Sequence, residues 1–131
     1  REQLEIIEEA MSKCVQIPME NYPLRHHFAN GMYAREIFMP TGTLITGRIK
    51  KDDYLSVISQ GEVYEATEHG AQHIKAPYTF SCGANSKRLV YVLQDCVWTT
   101  IHKTDETDID TIVEKLTHPS YENIIDEEVS L

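Results

Sequence analysis

The chain has 131 residues, a mass of 15.0 kDa, 41% hydrophobic residues and a formal net charge of −9. This fits one domain and argues against wholesale disorder; the longest apolar run, Leu89–Leu93, is far short of the roughly 20 residues a membrane span needs. Residues 105–131 carry nine acidic side chains and one basic, while 14–104 are nearly neutral, so the basic footprint that nucleic-acid binding needs is missing.

In chain order, Leu4, Ile7 and Met11 fall at helical spacing within 2–13 and predict an amphipathic N-terminal helix whose stripe needs a cover. No basic segment leads into an apolar stretch there, so a secretory signal is not expected. Pro18 and Pro23 break any helix, and 17–32 is expected to be an irregular arm or edge in which His26 and His27 are solvated. From Tyr33 the pattern changes to short β-branched and aromatic runs. Strands are predicted at 33–39, 43–50, 54–59, 61–67, 71–75, 77–81, 87–93 and 95–103, divided by turn residues such as Pro40-Thr41-Gly42, Gln60-Gly61 and His69-Gly70. Strands at this spacing with no helices between them imply an antiparallel sandwich or barrel. After Lys103, Asp108 and Asp110 suit the positive end of a short helix whose apolar stripe is Ile109, Ile112, Val113 and Leu116. Pro119 is expected to stop it, leaving an acidic tail with Tyr121, Ile124 and Ile125. The predicted organisation is a single domain in three parts: helix and arm at 1–32, β-barrel at 33–104, helix and tail at 105–131.

Cys14, Cys82 and Cys96 are an odd count without a C-x-x-C pair. A disulfide framework or a four-thiolate zinc site is not expected, and a reducing, cytoplasmic compartment is the simplest reading.

Gly42, Arg48, Lys50, Tyr54 and Gly61 meet a particular spacing: Gly, five residues, His, one residue, His, three or four residues, Glu, six residues, Gly. It resembles the first conserved motif of the cupin superfamily. The resemblance implies a mainly β, cupin-like jelly roll or antiparallel β-barrel. In that motif the residues at i and i+2 point the same way into the barrel and help to hold a metal. Here Arg48, Lys50 and Tyr54 stand in the His, His and Glu positions. A guanidinium stays protonated and cannot ligate, so neither a metal nor another cofactor is expected. The second cupin motif is equally depleted: beyond Ala76-Pro77, its His and Asn slots fall at Cys82 and Ser86.

Within the superfamily, 38–104 resembles small cupin-like proteins of tailed bacteriophages and some bacteria. The resemblance rests on Met39–Gly47, Leu55–Gly61, Ala76–Phe80, Lys87-Arg88 and Val97–His102. It implies a non-enzymatic virion component of collar, neck or decoration type that assembles with copies of itself and with other structural proteins. Leu4, Ile7 and Met11 at one end and Tyr121, Ile124 and Ile125 at the other would be the docking elements.

The alternative is a binder of small molecules or anions, or an enzyme with a non-standard site that also draws on Cys82. Arg48 and Lys50 aimed inward would hold a carboxylate or phosphate, Tyr54 would donate a hydrogen bond, and His102, alternating with Thr100 and Trp98, would join them. Against this stands neutralisation of the cations by Glu36 or Glu62, leaving a filled interior, and that is the expected outcome.

Overall fold

The computed structural model describes Ile6 and residues 24–118. The predicted N-terminal helix with Leu4, Ile7 and Met11, and the tail with Tyr121, Ile124 and Ile125, lie outside the described residues. The strands are β1 (Leu24–Ala29), β2 (Met32–Met39), β3 (Leu44–Thr46), β4 (Ile49–Lys50), β5 (Tyr54–Thr67), β6 (Gly70–Lys75), β7 (Tyr78–Cys82) and β8 (Leu89–Lys103); helix α1 (Ile109–Leu116) and strand β9 (Thr117–His118) follow.

Two long strands organise the sheet. β8 pairs with β5 on one side; on the other it pairs first with β3 through Leu89–Tyr91 and then with β2 through Cys96–Lys103. β5 likewise changes partners, from β7 over Tyr54–Ile58 to β6 over Glu62–Thr67. The changeover coincides with register shifts around Gln60 and Glu62, where Gly61 takes φ +98°. Such bulges bend a strand and raise its twist, which turns one sheet into the two facing layers of a jelly roll.

Three expectations are corrected. The described strands run in the order β1-β2-β8-β5-β6 without returning on themselves, so the sheet is curled but is not a closed barrel. Residues 54–67 and 89–103 are each one continuous strand, because Gly61 and Gln94 mark irregularities in the ladder rather than turns. Residues 24–29 are a regular edge strand, paired to β2 from Leu24↔Ile37 to Ala29↔Met32.

Alternation sorts the side chains. Tyr33, Ile37 and Met39 of β2, Ile58 and Val63 of β5, and Val92, Cys96 and Trp98 of β8 are buried on the inner face. With Ile74 and Val90, all of these except Tyr33 form one core at one end of the cup. Completely buried residues such as Ile58, Val63 and Val92 each stabilise the fold by about 2 kcal/mol. Among the described residues no helix is long and apolar enough to cross a membrane.

Helix α1 begins where its sequence says it should. Asp108 Oδ2 accepts from Thr111 N at 3.1 Å and from Thr111 Oγ1 at 2.7 Å, satisfying a backbone donor that the first turn leaves unpaired. Asp108→Ala is expected to speed amide exchange over 109–113 while exchange in β5 and β8 is unchanged; equal exchange in both proteins would mean that packing alone holds the helix. The helix ends at Thr117, whose hydroxyl donates to the Val113 carbonyl at 2.6 Å, and the chain then pairs with β4 through Ile49↔His118 and Lys50↔Thr117.

Candidate functional site

The other end of the cup is polar. Inward positions on three neighbouring strands supply it: Tyr33 and Arg35 from β2, Thr100 and His102 from β8, and Tyr54 and Ser56 from β5. Pairing places Tyr33 opposite His102 and Arg35 opposite Thr100. A row of rings runs across the strands, with centroid separations of 5.3 Å for Phe28–Tyr33, 6.0 Å for Tyr33–His102 and 5.1 Å for His102–Tyr54.

Above this row lies a cavity of about 260 Å³. One wall is the apolar stripe of α1 (Ile109, Ile112, Val113 and Leu116), joined by Ile45. The opposite wall is cationic: Arg35, Arg48 and Lys50, with Tyr33, Thr100, His102 and Thr117 beside them. No aspartate or glutamate is among the described residues lining it.

The motif positions therefore converge. Lys50 is half-buried; its Nζ donates to the Arg48 carbonyl at 3.0 Å and stands 5.7 Å from the centre of the Tyr54 ring. The exposed Arg48 side chain turns toward β9, where its Nε donates to Thr117 Oγ1 at 2.8 Å. Tyr54 lies behind Lys50 and His102 rather than on the cavity surface, and its hydroxyl accepts from Arg88 Nε at 3.1 Å.

The expected neutralisation by Glu36 or Glu62 does not occur. Glu36 pairs with His27 at 3.0 Å and Glu62 with His73 at 2.7 Å. Arg88, not Arg48 or Lys50, carries the buried ion pair: its Nη1 is 2.6 Å from Glu65 Oε2, and Glu65 Oε1 also accepts from Gln72. His26 and His27 are exposed, as expected, and His26 Nδ1 also meets the Tyr33 hydroxyl at 2.7 Å. Cys82 is buried against Ser56 Oγ at 3.1 Å and does not line the cavity.

Sequence reasoning missed Arg35. It falls between Tyr33 and Ile37 at strand period, which is the signal that would have placed it inward.

The electrostatics follow from burial and like charge. Burial, with Arg35, Arg88 and Arg48 as cationic neighbours, brings Lys50 down to about 8. His102 falls to about 4, first through burial and then through Lys50 and Arg35, so it is neutral at physiological pH. It holds Thr100 Oγ1 at 2.8 Å through Nε2. Burial also lowers Arg35 and pushes Tyr54 up to about 12. Among the described residues no three of His, Cys, Asp and Glu come together where a metal ion could sit.

No family model matches the sequence, and no curated protein sequence matches it. Solved structures match in shape. A cupin-2 domain containing protein from Shewanella frigidimarina is 10% identical, with 75% of this chain and 92% of that one covered and a TM-score of 0.53. An RmlC-like cupin family protein with a double-stranded β-helix fold, from Methanocaldococcus jannaschii, is 11% identical over 70% of this chain and 88% of that one, with a TM-score of 0.55. KdgF from Halomonas sp. is 10% identical over 72% and 91%, with a TM-score of 0.56. At such identities the likeness is one of fold.

Proposed function

Taking as premise that the chain has the cupin fold, we propose that it is a binding protein for a small organic anion, with Arg35, Arg48 and Lys50 holding the anionic group. The observation that carries this reading is the convergence of three cationic side chains on one cavity whose described lining holds no carboxylate. Partly desolvated like charges raise the energy of the empty site, and an anion offsets that cost through charge-assisted hydrogen bonds. Arginine forks suit a carboxylate or phosphate in two-point contact. Neutral His102, with the Tyr33 and Thr100 hydroxyls, lines the cavity as polar surface for a second polar group, and the α1 stripe accepts a short apolar part. At about 260 Å³ the cavity is smaller than typical drug-sized sites, which favours a compact ligand.

The assembly role in a virion implied by the resemblance draws on docking elements at the two ends of the chain, which lie outside the described residues. The cavity reading is the one supported by the described geometry.

Calorimetric titration with pyruvate, as a compact carboxylate, tests the proposal. Arg35→Gln is expected to weaken binding by roughly 30-fold, about 2 kcal/mol, and the exposed Arg48→Gln by less. Because each variant also relieves like-charge repulsion, the melting temperature of Arg35→Gln should stay level or rise. Unchanged affinity in Arg35→Gln, or equal binding of the uncharged pyruvamide by the wild type, would overturn the reading.

A further inference from the structure

Lys50 differs from an ordinary phosphate- or carboxylate-binding lysine in its surroundings. It is half-buried, it lines the cavity, and its Nζ is fixed by the Arg48 carbonyl at one point while the Tyr54 ring stands beneath it. Charged and titratable groups near it come from several strands: Arg35 on β2, Arg48 before β4, Arg88 before β8, His102 on β8, Tyr54 on β5 and Cys82 on β7, while β9 pairs with it through Thr117 beside His118. The one buried carboxylate in this region, Glu65, is committed to Arg88. Among the described residues no carboxylate pairs with the Lys50 ammonium, and the cations around it favour loss of the proton.

Resting on the anion-binding reading, we infer that the ligand is a small carbonyl acid, a 2-oxo acid or an aldehyde acid, and that the Lys50 amine joins its carbonyl carbon as an imine. The Nζ lone pair attacks the carbonyl carbon, a C–N bond forms, and the C=O π pair moves to oxygen, which takes a proton. The C–O bond of this carbinolamine then breaks, the oxygen leaves as water with a second proton, and C=N results. Amine plus carbonyl gives imine plus water, with no oxidant or reductant. Arg35 and Arg48 fix the carboxylate beside the reacting carbon. The proton passes from nitrogen to oxygen, while His102 on the cavity wall stays uncharged beside Lys50 and Arg35. The lowered Lys50 value, about 8, leaves a usable fraction of free amine near neutrality where an ordinary lysine has almost none.

The test is reductive trapping with cyanoborohydride on the full chain, using pyruvate and glyoxylate as probes, followed by intact-mass and peptide analysis. The expected product with pyruvate is a single adduct on Lys50 equal to pyruvic acid less one oxygen atom. It should be lost in Lys50→Arg and kept in Lys103→Arg, and its rate should rise through pH 8 and level off rather than climb past 10. Calorimetry on the same wild-type protein separates the two claims. Binding of the probes without a Lys50 adduct, or with label spread over exposed lysines, overturns the imine and leaves anion binding standing. No binding of either probe overturns both.

Discussion

Gly61→Ala is expected to destabilise the protein by about 4 kcal/mol, a loss large enough to consume much of a small domain's stability. Gly61 takes φ +98°, a conformation that costs an L-residue about 1–2 kcal/mol. A Cβ there would lie 2.4 Å from the Asp95 carbonyl oxygen, 2.7 Å from Cys96 Cα and 2.8 Å from the Gln94 carbonyl oxygen. All three are backbone atoms of β8 and cannot swing away as a side-chain tip would, so overpacking adds roughly 1–3 kcal/mol. The neighbourhood is pinned further, since Thr41 N and Oγ1 both donate to Asp95 Oδ1 at 2.9 Å and Ala76 N donates to the Gly61 carbonyl at 2.9 Å. Gly70→Ala is the matched control: its φ is +127°, but nothing lies within 4 Å of the added carbon, so only the backbone cost applies. Urea denaturation reads both. A loss under about 1 kcal/mol at Gly61 would mean that β8 yields there and that the bulge is not what bends the sheet.

The second large effect is a loss of stability in acid that belongs to His102. Its folded value is about 4, against the ordinary 6.5. Between these values the unfolded chain takes up a proton at this position and the folded chain does not, so stability falls as pH drops from 6.5 to 4, and below 4 the loss is complete. The interval corresponds to about 3 kcal/mol. At 8% exposure the ring is screened little by solvent. His102→Phe keeps a ring between Tyr33 and Tyr54 and removes the titration, so its pH profile should lie flatter than the wild type's by that amount over this window. Profiles that fall in parallel would show that His102 is charged in the fold, which Lys50 and Arg35 beside it forbid in the present arrangement.

Much of the fold was legible because strand period is a strong signal where one face is buried. β2 was read almost to its ends, and the alternation of Trp98, Thr100 and His102 offered the inner face for His102, where the structure has it, beside the bland reading of a satisfied or solvent-edge histidine. Of the residues picked out by the Gly42–Tyr54 spacing, Arg48 and Lys50 line the cavity and Tyr54 lies behind Lys50. β1 was missed because five of its six residues are exposed, so it carries no apolar alternation, and its pairing to β2 is a tertiary fact. Gly61 was taken for a turn because a positive φ inside a continuous strand cannot be told from one at a hairpin by sequence alone. Glu36 was a poor partner for inward cations on parity alone: it neighbours Arg35 on β2 and so faces the other way. Glu62 escapes that argument because the bulge resets the alternation of β5.

The most direct test of the central claim, that Arg35, Arg48 and Lys50 form an anion site, is to titrate pyruvate into ¹⁵N-labelled protein and follow the arginine Nε–Hε signals. The account requires Arg35 and Arg48 to shift together and saturably while the exposed-edge Arg25 on β1 stays in place. Shifts confined to Arg25, or none at Arg35 and Arg48 at saturating pyruvate, would contradict it.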